Sequence, residues 1–201
     1  MRASKSSTRG FQVVELVVAL AAFGLVTVVG VPPLLRMTSQ FRVRLAAEEL
    51  VGVLRGARWL AIRRSAEVAV KFDTTSGPTT FALYRDGNGD GVSNAEIRSG
   101  VDPLVEAARP LQHLGRDVRF GFPPGRPVRD PGDPSHWLDR TDDPIRFNDS
   151  DLASFSSLGT STPGSLYLTD GVDQLAAVRV YGRTAKVRVL TYDFKTETWH
   201  E

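Results

Sequence analysis

The sequence predicts an α+β protein: one long N-terminal helix, with a membrane-spanning first half, packed on an antiparallel β-sheet or sandwich. Three observations predict it. Residues 11–31 form an almost unbroken apolar run, residues 34–64 place apolar side chains at helical spacing, and from Glu67 onward short apolar-polar alternations are separated by turn residues.

With 201 residues, 41% of them apolar and 24% charged, the chain is long enough for one domain plus an appendage and is not wholesale disordered. It contains no cysteine, which excludes a disulfide framework, a thiolate metal site and a cysteine nucleophile. The net charge of +2 originates in the first ten residues, where Arg2, Lys5 and Arg9 stand without an acid; beyond them the charges nearly balance.

Residues 1–10 read as a leader and 11–33 as the first half of the helix. From Phe11 to Val31, Glu15 is the only charge. At about 1.5 Å per residue such a helix is about 30 Å long, the thickness of a bilayer's hydrocarbon core. A secretory signal peptide would place its small residue after the apolar run, whereas Gly10 precedes it. An acid inside such a run demands a partner. A cut after Gly10 would create one, because the new amine at Phe11 is a cation at the right depth for a neighbour's Glu15. Arg36, Arg42 and Arg44 balance the leader's bases, so charge counting leaves the orientation open.

Pro32 and Pro33 should bend the helix before it resumes over 34–65. There Ala46, Leu50, Val53, Ala57 and Leu60, flanked by Leu54 and Ala61, form an apolar stripe; Arg42, Arg55, Arg58, Arg63 and Arg64 lie opposite, as a solvated face. Residues 66–201 read as a β-rich globular domain. Strands are expected at 67–72, 79–85, 104–112, 118–122, 152–156, 165–168, 175–181 and 186–194. A turn through Ser76, Gly77 and Pro78 joins the first two. Six prolines mark the insertion 123–144 as a long loop.

The stretch RGFQVVELVVALAAFGLVTVVGVPP, with a basic leader ending in Gly10, aromatic Phe11, Glu15 and Pro32, resembles the N-terminus of type IV pilin-like proteins. The C-terminal run from IRFNDSDL to KVRVLTYD resembles the GspH/FimT family of minor pseudopilins, although Ala185 follows Thr184 where the family often has glycine. The resemblance implies cleavage between Gly10 and Phe11 by a prepilin peptidase, methylation of the new N-terminus, and Glu15 pairing with a neighbour's amine. It also implies other pilins or pseudopilins as partners, in a type II secretion pseudopilus or a type IV pilus. The implied location is the bacterial inner membrane, crossed once, with the C-terminal domain periplasmic.

Two constellations offer other chemistry. Asp86, Asn88 and Asp90 alternate as in a calcium loop, with Gly91 at the sharp turn, but Glu96 comes one residue too early and Ile97 holds the position of the bidentate acid. A plain turn between strands is the reading taken, with calcium as the alternative. Arg179, Arg183, Lys186 and Arg188 form a basic cluster in the last hairpin. It could track DNA phosphates, as in uptake subunits, though the acids of the C-terminal segment balance it. His113, His136 and His200 lack ligand spacing. No nucleophile elbow, phosphate loop or dinucleotide fingerprint occurs, so no enzyme and no cofactor is expected.

Overall fold

Helix α1 runs from Val13 to Arg64. The computed structural model describes residues 13–74, 79–111 and 117–201, and for residues 29–36 the helical backbone alone. The leader, the Gly10–Phe11 junction, the turn at 76–78, His113 and the side chains of Pro32 and Pro33 lie outside the described residues.

The expected membrane span requires correction. Side chains of α1 are described over 13–28 and 37–64, stretches of 16 and 28 residues. The first amounts to about 24 Å of helix and carries Glu15 in its first turn; a span needs about 30 Å. The second holds six arginines and two glutamates. Among the described residues no helix is long and apolar enough to cross a membrane. The membrane-spanning half of the expected fold, and with it the single-pass placement in the inner membrane, is therefore not upheld.

The chain divides into two compact units, Met1–Thr38 and Ser39–Glu201. In the first unit every described side chain from Val13 to Val28 is exposed. In the second, α1 lays a buried stripe of Val43, Ala46, Ala47, Leu50, Leu54 and Ala61 on the core. Val53 and Leu60, expected within the stripe, lie at its half-buried edge.

Two antiparallel sheets complete this unit. The first has the order β3-β2-β1-β6, from β1 (Val68–Asp73), β2 (Thr80–Arg85), β3 (Leu104–Pro110) and β6 (Leu152–Phe155). The second has the order β10-β9-β8-β7-β4, from β4 (Arg119–Phe120), β7 (Gly164–Thr169), β8 (Leu175–Tyr181), β9 (Lys186–Asp193) and β10 (Thr198–His200), with β5 (Ile145–Arg146) also on β7. One core joins them: Val68 and Val70 of β1, Leu166 and Leu168 of β7 and Val178 of β8 cluster with the helical stripe.

Strand alternation turns Tyr167, Leu175, Ala177, Leu190 and Tyr192 to the other face of the second sheet. There the proline-rich segment packs as a cover rather than standing off as a free loop. Phe122 and Val128 bury against these residues, Trp199 Nε1 donates to the Arg129 carbonyl at 2.7 Å, and the Tyr192 hydroxyl accepts the Arg129 N–H at 3.3 Å. Two buried faces explain why every residue of β7 after Gly164 is buried and why β8 is almost wholly apolar.

Candidate functional site

The resemblance points to Gly10, Phe11 and Glu15. Only Glu15 is described, exposed in the first turn of α1, where a helix N-terminus favours an acid. Around it Val13, Val17, Leu20 and Phe23 present an apolar surface more than half exposed at each position. Thr27 Oγ1 donates to the Phe23 carbonyl at 2.8 Å, which satisfies the one hydroxyl of this stretch within the helix.

The Asp86 loop is organised by its own backbone. Asp86 accepts the N–H groups of Asn88, Gly89 and Gly91 at 3.0, 2.7 and 3.1 Å, and buried Asp102 accepts those of Gly87 and Ser93 at 3.1 and 2.9 Å. Burial pushes the Asp86 carboxyl up, but these N–H groups and the charge of Arg85 outweigh it and hold the group below its ordinary range. Asn88 Nδ2 donates to Glu96 Oε1 at 2.8 Å. Ser93 Oγ donates to Glu96 Oε2 and accepts the Glu96 N–H, an N-cap that starts the short helix α2 (Asn94–Ser99). The sequence reading missed this helix, although Ser93-Asn94-Ala95-Glu96 is its signature. Asp90, the remaining calcium candidate, lies in the same turn, and no group of three acids or histidines is placed to hold a metal among the described residues. His136 bonds to Asp133 and His200 to Thr198.

The basic hairpin is partly neutralised. Arg179 stands opposite Arg188 in the β8–β9 register; it lies 3.8 Å from Asp130, while Arg188 pairs with Glu201. Arg183 and Lys186 remain exposed.

The structure brings together a group that the sequence reading had treated as a solvated face. At the C-terminal end of α1, Arg55, Arg58 and Lys186 rim a cavity of about 430 Å³ floored by Trp59, Ile62 and Val187. Trp59 is 60% exposed with the Arg63 guanidinium 5.0 Å from its ring. Arg58 Nε is buried and has no hydrogen-bond partner. A tryptophan among the arginines of a polar helix face was the signal available beforehand. On the other side of Trp59, Gly52, Val53 and Gly56 open a groove of about 530 Å³ against Phe81 and Arg109 of the first sheet.

No protein-family model matches this chain, and neither a curated protein nor a solved structure is significantly similar to it.

Proposed function

We propose that this chain is a minor subunit of a type IV pilin-like filament, a pseudopilin or minor pilin matured by a prepilin peptidase between Gly10 and Phe11. The observation that carries this reading is the continuous exposed apolar surface of α1 from Val13 to Val28, interrupted by one acid, Glu15. Burying one Val, Leu or Phe side chain contributes about 1.5–3 kcal/mol, so lateral packing of such helices from neighbouring subunits is strongly favourable. Glu15 then sets the axial register by facing the amine of an adjacent Phe11. The Ser39–Glu201 unit, with its own core, supplies the contacts that distinguish this subunit from others.

The test is intact-mass analysis of the chain made alongside a prepilin peptidase, followed by measurement of its incorporation into filaments. A mature chain beginning at N-methylated Phe11 is expected. Glu15→Ala should be processed normally but incorporated poorly. A chain that keeps residues 1–10 in the presence of the peptidase, or a Glu15→Ala chain that incorporates like the parent, would overturn the reading.

A further inference from the structure

We propose that the cavity at the C-terminal end of α1 docks an acidic segment of a different polypeptide, in which one aliphatic or aromatic side chain is flanked by carboxylates. The proposal goes beyond the filament reading, which is carried by residues 13–28, and does not depend on it.

Three segments far apart in the chain meet here. Side chains of α1 between Arg55 and Ile62 and of the β8–β9 turn between Ala185 and Val187 line the cavity. The turn between β6 and β7 lies alongside, since a Cβ at Gly159 would stand 3.4 Å from Arg58 Nη2 and 3.9 Å from Ile62 Cδ1. The stretches that supply these elements, residues 50–66, 152–169 and 174–192, hold eight bases, four in the first and four in the last, and no acid. Because the whole chain carries 23 acids against 25 bases, the charges are segregated rather than scarce, and this end of the molecule is left positive.

Acids from elsewhere reach only part of it. Asp130 comes to Arg179 and Glu201 to Arg188, whereas the side chains of Arg55, Arg58 and Lys186 make no ion pair among the described residues. Arg58 Nε is buried with no acceptor, and a donor left in that state is costly until a partner supplies one. Between these cations the surface is apolar: Trp59 is 60% exposed and Ile62 48%, and the Arg63 guanidinium 5.0 Å from the indole braces it in place. A tryptophan set among arginines is the composition of a binding hot spot.

Charge complementarity makes the occupant anionic, and the shape and floor of the cavity make it a polypeptide. Apart from Trp59 the floor is aliphatic, Ile62 and Val187, whereas a single-stranded nucleic acid needs a succession of aromatic rings for its bases. The cations rim a concavity of about 430 Å³ instead of surrounding a protruding apolar tip, so a flat lipid surface does not reach Val187 at its base. A segment with one apolar anchor places that side chain on Trp59 and Ile62 and its carboxylates among the three cations, with one oxygen accepting from Arg58 Nε.

Selection of random heptapeptides displayed on phage against the full-length chain, with counter-selection on Trp59→Ala, tests this. The surviving peptides should converge on acids to either side of one Leu, Ile, Phe or Trp. Arg55→Glu serves for the counter-selection if Trp59→Ala folds poorly by circular dichroism. The enriched peptide, synthesised and labelled, should bind Trp59→Ala about 30-fold more weakly than the parent, the ratio that about 2 kcal/mol provides. Its binding should shift tryptophan emission to shorter wavelength in the parent and not in Trp59→Phe. Lys186→Glu should also weaken it, and a peptide with one carboxylate replaced by a lysine side chain should bind Lys186→Glu better than it binds the parent, an exchange that structural damage does not produce. Failure of the peptides to converge, convergence on basic or uncharged sequences, or binding indifferent to Lys186→Glu would overturn the proposal. So would displacement of the labelled peptide by oligothymidylate or by phosphatidylglycerol vesicles more readily than by unlabelled peptide, which would reassign the cavity to nucleic acid or to lipid. None of these outcomes bears on processing at Gly10 or on incorporation of Glu15→Ala, so this proposal and the filament reading fail separately.

Discussion

Adding one methyl group at two glycines should move stability in opposite directions. Gly164 opens β7, and a Cβ there would overlap Phe147 Cδ1 and the carbonyl oxygen of Arg146. Neither neighbour can yield: Phe147 is fully buried, and the Arg146 carbonyl belongs to β5, held in register by Arg146↔Ser165 and Ile145↔Leu166. Overpacking of this kind costs about 1–3 kcal/mol, against about 0.5–1 kcal/mol gained by stiffening a glycine in regular structure. Gly52 lies in the middle of α1, where an added Cβ meets no atom within 4 Å, so only the gain of about 0.8–1.0 kcal/mol remains. For a unit of this size 1 kcal/mol corresponds to about 2–4 °C. Gly164→Ala should therefore lower the Tm by several degrees, and Gly52→Ala should raise it by about 2–4 °C. Circular-dichroism melting of the two variants beside the parent provides the measurement. A Gly164→Ala protein melting at or above the parent would refute the packing assigned to the β5–β7 junction.

Acid should reveal the Asp170 turn. Burial pushes the Asp170 carboxyl up, but hydrogen bonds from Ser39 and from the N–H groups of Gln174, Val172 and Asp173 outweigh it and hold the group below its ordinary range. The unfolded chain therefore takes up this proton first as pH falls. The stabilisation is complete above about pH 4 and is lost as pH drops through the lower folded value. Melting curves of Asp170→Asn should thus lie well below the parent at pH 7 and converge with it toward pH 3; a gap that does not narrow contradicts the hydrogen-bonded carboxylate. At the Asp86 loop, saturating calcium should leave the Tm unchanged, because Asp86 and Asp102 already accept backbone N–H groups. A ligand at a hundredfold excess over its Kd would add about 2.7 kcal/mol, and a rise of that size abolished by Asp90→Ala would establish a metal site instead.

Periodicity alone made the amphipathic half of α1 legible, together with the longer strands. The spacing from Ala46 to Ala61 marks the helical face, and the alternation in EVAVKF, TTFALYR and KVRVLTYD marks β1, β2 and β9. These patterns survive because burial of one face is a local property of the chain. Of the two-residue strands, β4 falls within the stretch expected at 118–122, whereas β5 is set by pairing with β7 and leaves almost no pattern of its own. The apolar run after Phe11 was legible as well, but as a membrane span, since composition records how apolar a segment is and not what covers it.

What the sequence determined by itself is therefore local: helix and strand periods, the turn at Asp86, and the candidate processing motif at Gly10, Phe11 and Glu15. Tertiary structure decided whatever depends on residues far apart in the chain. It turned the proline-rich segment from a loop into the cover of a second core, because Phe122 and Val128 meet Tyr167 and Tyr192 only once the strands are ordered. It divided the basic hairpin by bringing Asp130 to Arg179 and Glu201 to Arg188. It also gathered Arg55, Arg58 and Trp59 with Lys186 across more than a hundred positions, since the end of a helix and the turn of a hairpin become neighbours only when both pack on one core.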